Sequence, residues 1–239
     1  MTEQPEEQRI KRFYETADVK EEDGAFQITL DGRTARTPGR QVLATPHRAL
    51  AEAMAAEWQA QGEFLDMPSM MLSRQRMVVI DRAEADREKW QHVFTSFLGS
   101  DLLCYLADGP AELVERQKAT LQPYLDWCAD THGIRLETTS GIMAVEQPAE
   151  SIAAAREYVD TLEADRLFCL VSATETVKSA VLALALVERF KPHEEIFDAG
   201  WVDESFQAEK WGIDAEAAER EQNLRAEFAA VDRYLELVS

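Results

Sequence analysis

The sequence predicts an α+β fold, with a small β-rich N-terminal domain over residues 1–68 packed on a larger all-helical C-terminal domain over residues 69–239. Three observations carry this reading. Phe26, Ile28 and Leu30 alternate with Gln27 and Thr29 and run into Asp31-Gly32, a dipeptide that favours a two-residue hairpin turn. Beyond Pro68, apolar residues recur at three- and four-residue spacings, the period of a buried helix face. No Gly/Ser linker, internal repeat or low-complexity tract separates the two patterns, so the two parts are expected to pack together.

In chain order, Asp23-Gly24 is a first turn signal, and Phe26–Leu30 is a strand. Arg33–Thr37 returns after Asp31-Gly32, Pro38-Gly39 turns again, and Gln41–Ala44 adds a further strand. A helix then opens with Thr45 as N-cap and Pro46 at its first position, and Gly62 closes it. Leu50, Met54 and Trp58 form its inward stripe, at i, i+4 and i+8. Trp90, Phe94, Phe97 and Leu98 mark a helix, and Leu113, Gln117 and Leu121 another. Pro123 restarts a third that carries Trp127 and Cys128 and ends at Gly133. Ile134–Thr138 is a candidate short strand. Ile152, Ala155, Val159 and Leu162 mark the next helix, Leu167–Val187 a long apolar one, and residues 215–237 the last.

Composition narrows the function classes. The chain is 46% apolar and 29% charged, ordinary for a folded protein, with a net charge of −20. That charge opposes binding to nucleic acid and to anionic membranes, both of which need basic patches. The longest apolar run, Ala180–Val187, is far short of the roughly 20 residues of a membrane span. The start, MTEQPEEQRI, has neither the basic and apolar stretches of a secretory signal nor the arginines without acids of a mitochondrial presequence. A bacterial cytoplasmic protein, or a trimmed organellar protein of the mitochondrial matrix, is expected. Cys104, Cys128 and Cys169 each sit in an apolar helical pattern and read as buried thiols.

Motifs for chemistry are conspicuous by their spacing. The 10 glycines come no closer than Gly32 and Gly39, whereas a phosphate-cradling loop needs two within about five positions so that its amides converge. Walker, Rossmann and GxSxG motifs are thereby excluded. His47, His92, His132 and His193 are too far apart for a local metal pair, and no Cys-x-x-Cys is present. His132 is expected to favour a helix C-terminus through the dipole. No cofactor or metal is expected. Among 45 acidic residues a carboxylate pair for hydrolysis is not ruled out by spacing.

One stretch stands apart. From Trp201 to Gly212, a helical period puts Trp201, Glu204, Gln207, Ala208 and Trp211 on one stripe, with a carboxylate and an amide between two indoles. A buried carboxylate is costly unless paired. Either an internal Arg, Lys or backbone amide satisfies Glu204, or the stripe faces a partner, since indole, amide and carboxylate together also compose protein-binding hot spots. The last 46 residues hold 13 Asp or Glu against 4 Lys or Arg.

These residues belong to a wider pattern. Arg12-Phe13-Tyr14, Leu30-Asp31-Gly32-Arg33 with Thr37-Pro38, Leu50-Ala51, Ala56-Glu57-Trp58 with Gln61, Met67-Pro68 and Ile80-Asp81-Arg82 come first. Asp101-Leu102-Leu103-Cys104-Tyr105, Gln117, Pro123 with Asp126-Trp127, Gly141-Ile142, Asp203-Glu204, Gln207, Trp211-Gly212 and Asp214 follow. The chain thereby resembles the F1-ATP synthase assembly chaperones of the mitochondrial assembly factor 2 type, also found in α-proteobacteria. It departs from them at Leu106, where Arg is usual, at Ser69-Met70 in place of Leu-Thr, and at Lys178-Ser179 in place of Gly-Ser.

The resemblance implies an α+β domain joined to a helical one, and a holdase that keeps the F1 α subunit soluble until β replaces it, without nucleotide or metal. The chain is expected to be a monomer when free. It points to Asp203, Glu204, Gln207 and Trp211 as partner-binding residues, and to Trp58, with Leu50 and Met54, as structurally critical. The competing expectations from residues alone are a carboxylate-based hydrolase and a generic acidic helical adaptor.

Overall fold

A computed structural model describes residues 10–141 and 144–239; the acidic N-terminal stretch and Ile142 of the Gly141-Ile142 block lie outside the described residues. The fold is α+β, with a small N-terminal sheet and a larger helical C-terminal region. The described chain forms two compact units, residues 10–84 with Glu236–Ser239, and Ala85–Leu235.

In the first unit, β1 (Ala17–Glu22) pairs antiparallel with β2 (Ala25–Leu30) from Ala17↔Leu30 to Glu22↔Ala25. The other edge of β2 is shared in tandem. β3 (Arg33–Thr34) covers Thr29 and Leu30, and β4 (Ala44–Thr45) covers Phe26 and Gln27. Between them the Ile28 N–H donates to the Leu43 carbonyl at 3.0 Å. The return strand is thus shorter than Arg33–Thr37, and only an isolated Arg36↔Val42 bridge continues it around the Pro38-Gly39 turn.

Helix α1 (Arg48–Gln59) packs on β1 and β2 through Leu50, Met54 and Trp58, all buried. It begins at Arg48 with His47 as N-cap, not at Pro46, because Thr45 is held in β4 opposite Phe26. It ends at Gln59 with Ala60 as C-cap, ahead of Gly62.

The first unit runs past the boundary expected at residue 68 and takes in α2 (Met71–Arg82). The cause is local. The Glu57 carboxylate on α1 accepts from the Leu72 and Ser73 N–H groups at 2.8 Å each, satisfying orphan donors at the α2 N-terminus. At its other end, Asp81 accepts from the Thr37 hydroxyl at 2.6 Å and the Gly39 N–H at 2.8 Å, fixing the turn. Near the start, the Arg12 guanidinium donates to the carbonyls of Tyr14, Glu15, Gln59 and Gln61, and the Tyr14 hydroxyl to the Trp58 carbonyl at 2.7 Å. Much of the sequence pattern in this unit is therefore backbone tethering.

The second unit is helical: α3 (Arg87–Leu98), α4 (Ala111–His132), α5 (Ala149–Asp160), α6 (Ala164–Val177), α7 (Ala180–Val187), α8 (His193–Gly200), α9 (Val202–Trp211) and α10 (Ala215–Leu237), the last as far as Leu235. It is not wholly so, since β5 (Tyr105–Leu106) and β6 (Thr139–Ser140) form a two-residue parallel pair. No strand forms over residues 134–138. There the Ser151 hydroxyl bonds both the N–H and carbonyl of Arg135, and the Gln147 amide does the same for Glu137. Side chains stand in for a neighbouring strand.

Two helix boundaries differ from expectation. Pro123 lies inside α4 and does not restart it. Leu113, Gln117, Leu121, Tyr124, Leu125 and Cys128 make one continuous buried face, whose burial outweighs the roughly 3 kcal/mol cost of an interior proline. Conversely, the apolar stretch 167–187 is broken at Lys178, which takes the left-handed conformation (φ 56°), and Ser179, which caps α7 by accepting from the Leu182 N–H at 3.0 Å. α7 is buried on every side, with α6 and α8 among its neighbours.

The three cysteines are buried thiols. Burial pushes Cys104 and Cys128 up to about 12 and Cys169 well above its ordinary value, so none is a thiolate nucleophile at neutral pH. His132 ends α4 between the Trp127 and Tyr158 rings. Burial lowers its pKa, and the Glu188 charge opposes that shift.

Candidate functional site

α8 and α9 meet at Trp201, and Gly212 ends α9 with a positive φ of 82° that lets the chain turn into α10. Between α9 and the first turns of α10 lies an open cleft of about 350 Å³. Trp201, Glu204, Gln207, Ala208 and Trp211 line it from α9, Ile213 and Asp214 from the loop, and Ala217, Arg220 and Glu221 from α10. The stripe read from helical spacing is thus one wall of the cleft. Trp201 is fixed from behind by stacking on Phe197 at 5.3 Å. Trp211 and Ile213 are instead presented to solvent, 77% and 51% exposed, although both are large and apolar.

Three acids line this cleft, and two are committed. Glu221 pairs with Arg225 at 2.9 Å, and Arg225 also pairs with Asp198 at 2.7 Å. Asp214 caps α10, accepting from the Ala217 N–H at 2.8 Å. Glu204 has no ion pair and no hydrogen bond from another residue among the described residues. Desolvation pushes its pKa up, opposed by its own backbone N–H; the Asp203 and Glu221 charges add to the rise and Arg220 opposes it. Gln207 likewise leaves its amide unbonded among the described residues.

Asp203, adjacent in sequence, is not brought to the cleft. It faces α4, where its carboxylate accepts from the Gln117 amide at 2.6 Å, and the Gln117 carbonyl in turn accepts from the Ala107 N–H at 2.7 Å. The same side of α9 carries the Arg116–Glu209 pair at 2.7 Å and the Lys210–Glu112 pair at 2.7 Å. One helix therefore has a docked face, with Asp203, and an open face, with Glu204, Gln207 and Trp211. Trp58, Leu50 and Met54 lie apart from both, in the core of the first unit.

Ile213 and Arg220 lie outside the α9 stripe. They come from the loop and the next helix, and only the exposed isoleucine beside Gly212 signals them in the sequence. Among the described residues no group of three or more His, Cys, Asp or Glu could hold a metal ion, and no helix is long and apolar enough to cross a membrane.

Comparison with known proteins agrees with this architecture. Residues 11–129 match the family model of the ATP12 chaperone protein. The chain is 23% identical over 249 residues to the mitochondrial protein atp12 of Schizosaccharomyces pombe, spanning 95% of this chain and 84% of that relative. The crystal structure of Atp12 from Paracoccus denitrificans matches at 31% identity with a TM-score of 0.91, over 96% of this chain and 99% of that one. The Atu1473 protein of Agrobacterium tumefaciens matches at 37% identity and a TM-score of 0.91, over 96% of this chain and 86% of that one.

Proposed function

This chain belongs to the ATP12 chaperone family, and we propose that it binds the unassembled α subunit of F1-ATP synthase and keeps it soluble until a β subunit takes its place. Glu204 is the observation that supports this reading most directly. Its carboxylate has no ion pair and no hydrogen bond from another described residue, in a cleft walled by two indoles, one of them 77% exposed. A partly desolvated, unpaired acid beside exposed apolar surface is stable only at a cost, and a partner that brings a basic or hydrogen-bonding group with apolar surface removes that cost. Mass action then suffices for release: the holdase stabilises the assembly-competent subunit, and a tighter partner displaces it.

The test is co-expression of the F1 α subunit with and without this chain. The α subunit should partition into the soluble fraction only when the chain is present. Equal insolubility in both cases would sink the proposal. With Glu204→Lys, soluble α should fall while the variant's own melting temperature stays within a degree or two of the parent, as expected for an exposed position.

A further inference from the structure

The first unit carries a second cleft, of about 480 Å³, lined by Phe13, Tyr14, Leu30, Arg33, Thr34, Arg36 and Trp58, among others. We infer that it docks an acidic segment of the client protein, one carrying an apolar side chain; this rests on the chaperone reading above. The charge of this region inverts that of the whole. The chain has a net charge of −20, yet residues 32–51 contain Arg33, Arg36, Arg40, Arg48 and His47 and not one Asp or Glu, and of these arginines Arg48 is paired with Glu52 just beyond the stretch. Arg33 and Arg36 are exposed, and neither meets a carboxylate among the described residues. Among the described residues the one acid lining the cleft is Asp31, and it is occupied: its carboxylate accepts from the Glu15 and Thr16 N–H groups at 2.9 Å each.

One further feature specifies the occupant. Phe13 is 69% exposed, its ring edge-on to Tyr14 at 5.4 Å, while its neighbours Arg12 and Tyr14 are spent on backbone carbonyls. An apolar anchor and two guanidiniums that meet no carboxylate among the described residues together call for a ligand rich in acceptors, with one greasy side chain. A carboxylate-bearing peptide meets both demands. A nucleic acid offers acceptors too, but the field of the whole chain repels it.

Photo-crosslinking tests this. Full-length chain with benzoylphenylalanine at position 13 or at position 211 is co-expressed with the F1 α subunit, irradiated, and the crosslinked peptides are sequenced. Position 13 should crosslink to α within an acidic segment, and the yield should fall about tenfold in the Arg33→Glu, Arg36→Glu double variant, as for loss of an interface anchor. A crosslink from 211 but not from 13 overturns this inference and leaves the chaperone reading standing; no crosslink from either overturns both. Crosslinking of 13 to a segment without acids, or to a second copy of this chain, overturns it as well. So does tight binding of an oligothymidylate that the double variant loses.

Discussion

Asp101 and Ala180 meet at the start of α7, where the buried carboxylate of one accepts the backbone N–H of the other at 2.7 Å. The same oxygen accepts from Val181 at 3.1 Å, and the second oxygen from Leu103 at 3.0 Å. One acid thus ties the turn at residues 102–104 to the N-terminus of the most buried helix, where the dipole also favours it. Desolvation outweighs these hydrogen bonds and pushes the Asp101 pKa up to about 6.

The sign follows from linkage. A carboxyl that binds its proton more tightly when folded contributes stability that is full below its unfolded pKa, near 4, and is lost as pH rises through about 6. The loss is on the order of 3 kcal/mol. Chemical denaturation of the parent and of Asp101→Asn between pH 4 and 7 should show the parent's stability falling relative to the variant as pH rises. A difference flat with pH would mean that Asp101 does not titrate in this range. The variant should also be less stable at pH 4, because its amide hydrogens replace one acceptor aimed at N–H donors.

The sequence read well where one period dominated. The α1 stripe arises from burial of one face, which leaves its period in the residue types, whereas β2 buries Thr29 along with Ile28 and Leu30 and the α9 stripe is an open face that ends on the exposed Trp211. Elements are not legible in the sequence where a distant group overrides local preference. Pro123 looks like a helix start until the burial of Leu121 and Tyr124 on one face is known. The break at Lys178-Ser179 is invisible in an apolar run because Asp101, far back in the chain, completes the cap. Asp203 and Glu204 are equal in composition and opposite in environment, and only the position of Gln117 separates them.

Gly39 and Asp81 are in closer contact than any other side chain would allow. A Cβ at Gly39 would lie 2.6 Å from one Asp81 carboxylate oxygen and 2.7 Å from its carbon. Gly39→Ala should expel the carboxylate and lose the bonds from Thr37 and Gly39, at a cost of about 1–3 kcal/mol. The Asp81→Ala background removes the clash, so the same substitution should cost much less there. A thermal-denaturation double-mutant cycle reads the coupling, and strict additivity would contradict the contact.

Lys178 offers a gain. It is exposed and left-handed, without a hydrogen-bond or ion-pair partner among the described residues, at the position after α6 where glycine is least strained. Lys178→Gly should raise the melting temperature, because relief of left-handed strain exceeds the added backbone entropy by about 0.5–1 kcal/mol. An unchanged or lowered melting temperature would show that the lysine stem contributes packing of similar size.

Asp203 and Glu204 should separate cleanly when each is changed alone. Asp203→Ala leaves the Gln117 amide, itself buried, without its acceptor, and should cost about 1–3 kcal/mol of stability. Glu204→Ala removes a carboxylate that has no partner to lose and carries a desolvation penalty, so stability should hold or rise slightly. Client holding should respond in the reverse sense. At a temperature where both variants remain folded, Asp203→Ala should still keep the F1 α subunit soluble, whereas Glu204→Ala should not. The measurements are a melting curve for each variant and the soluble fraction of co-expressed α. If Asp203→Ala loses the client without losing stability, the docked face of α9 contacts the partner, and the division of this helix into an inner and an open face is wrong.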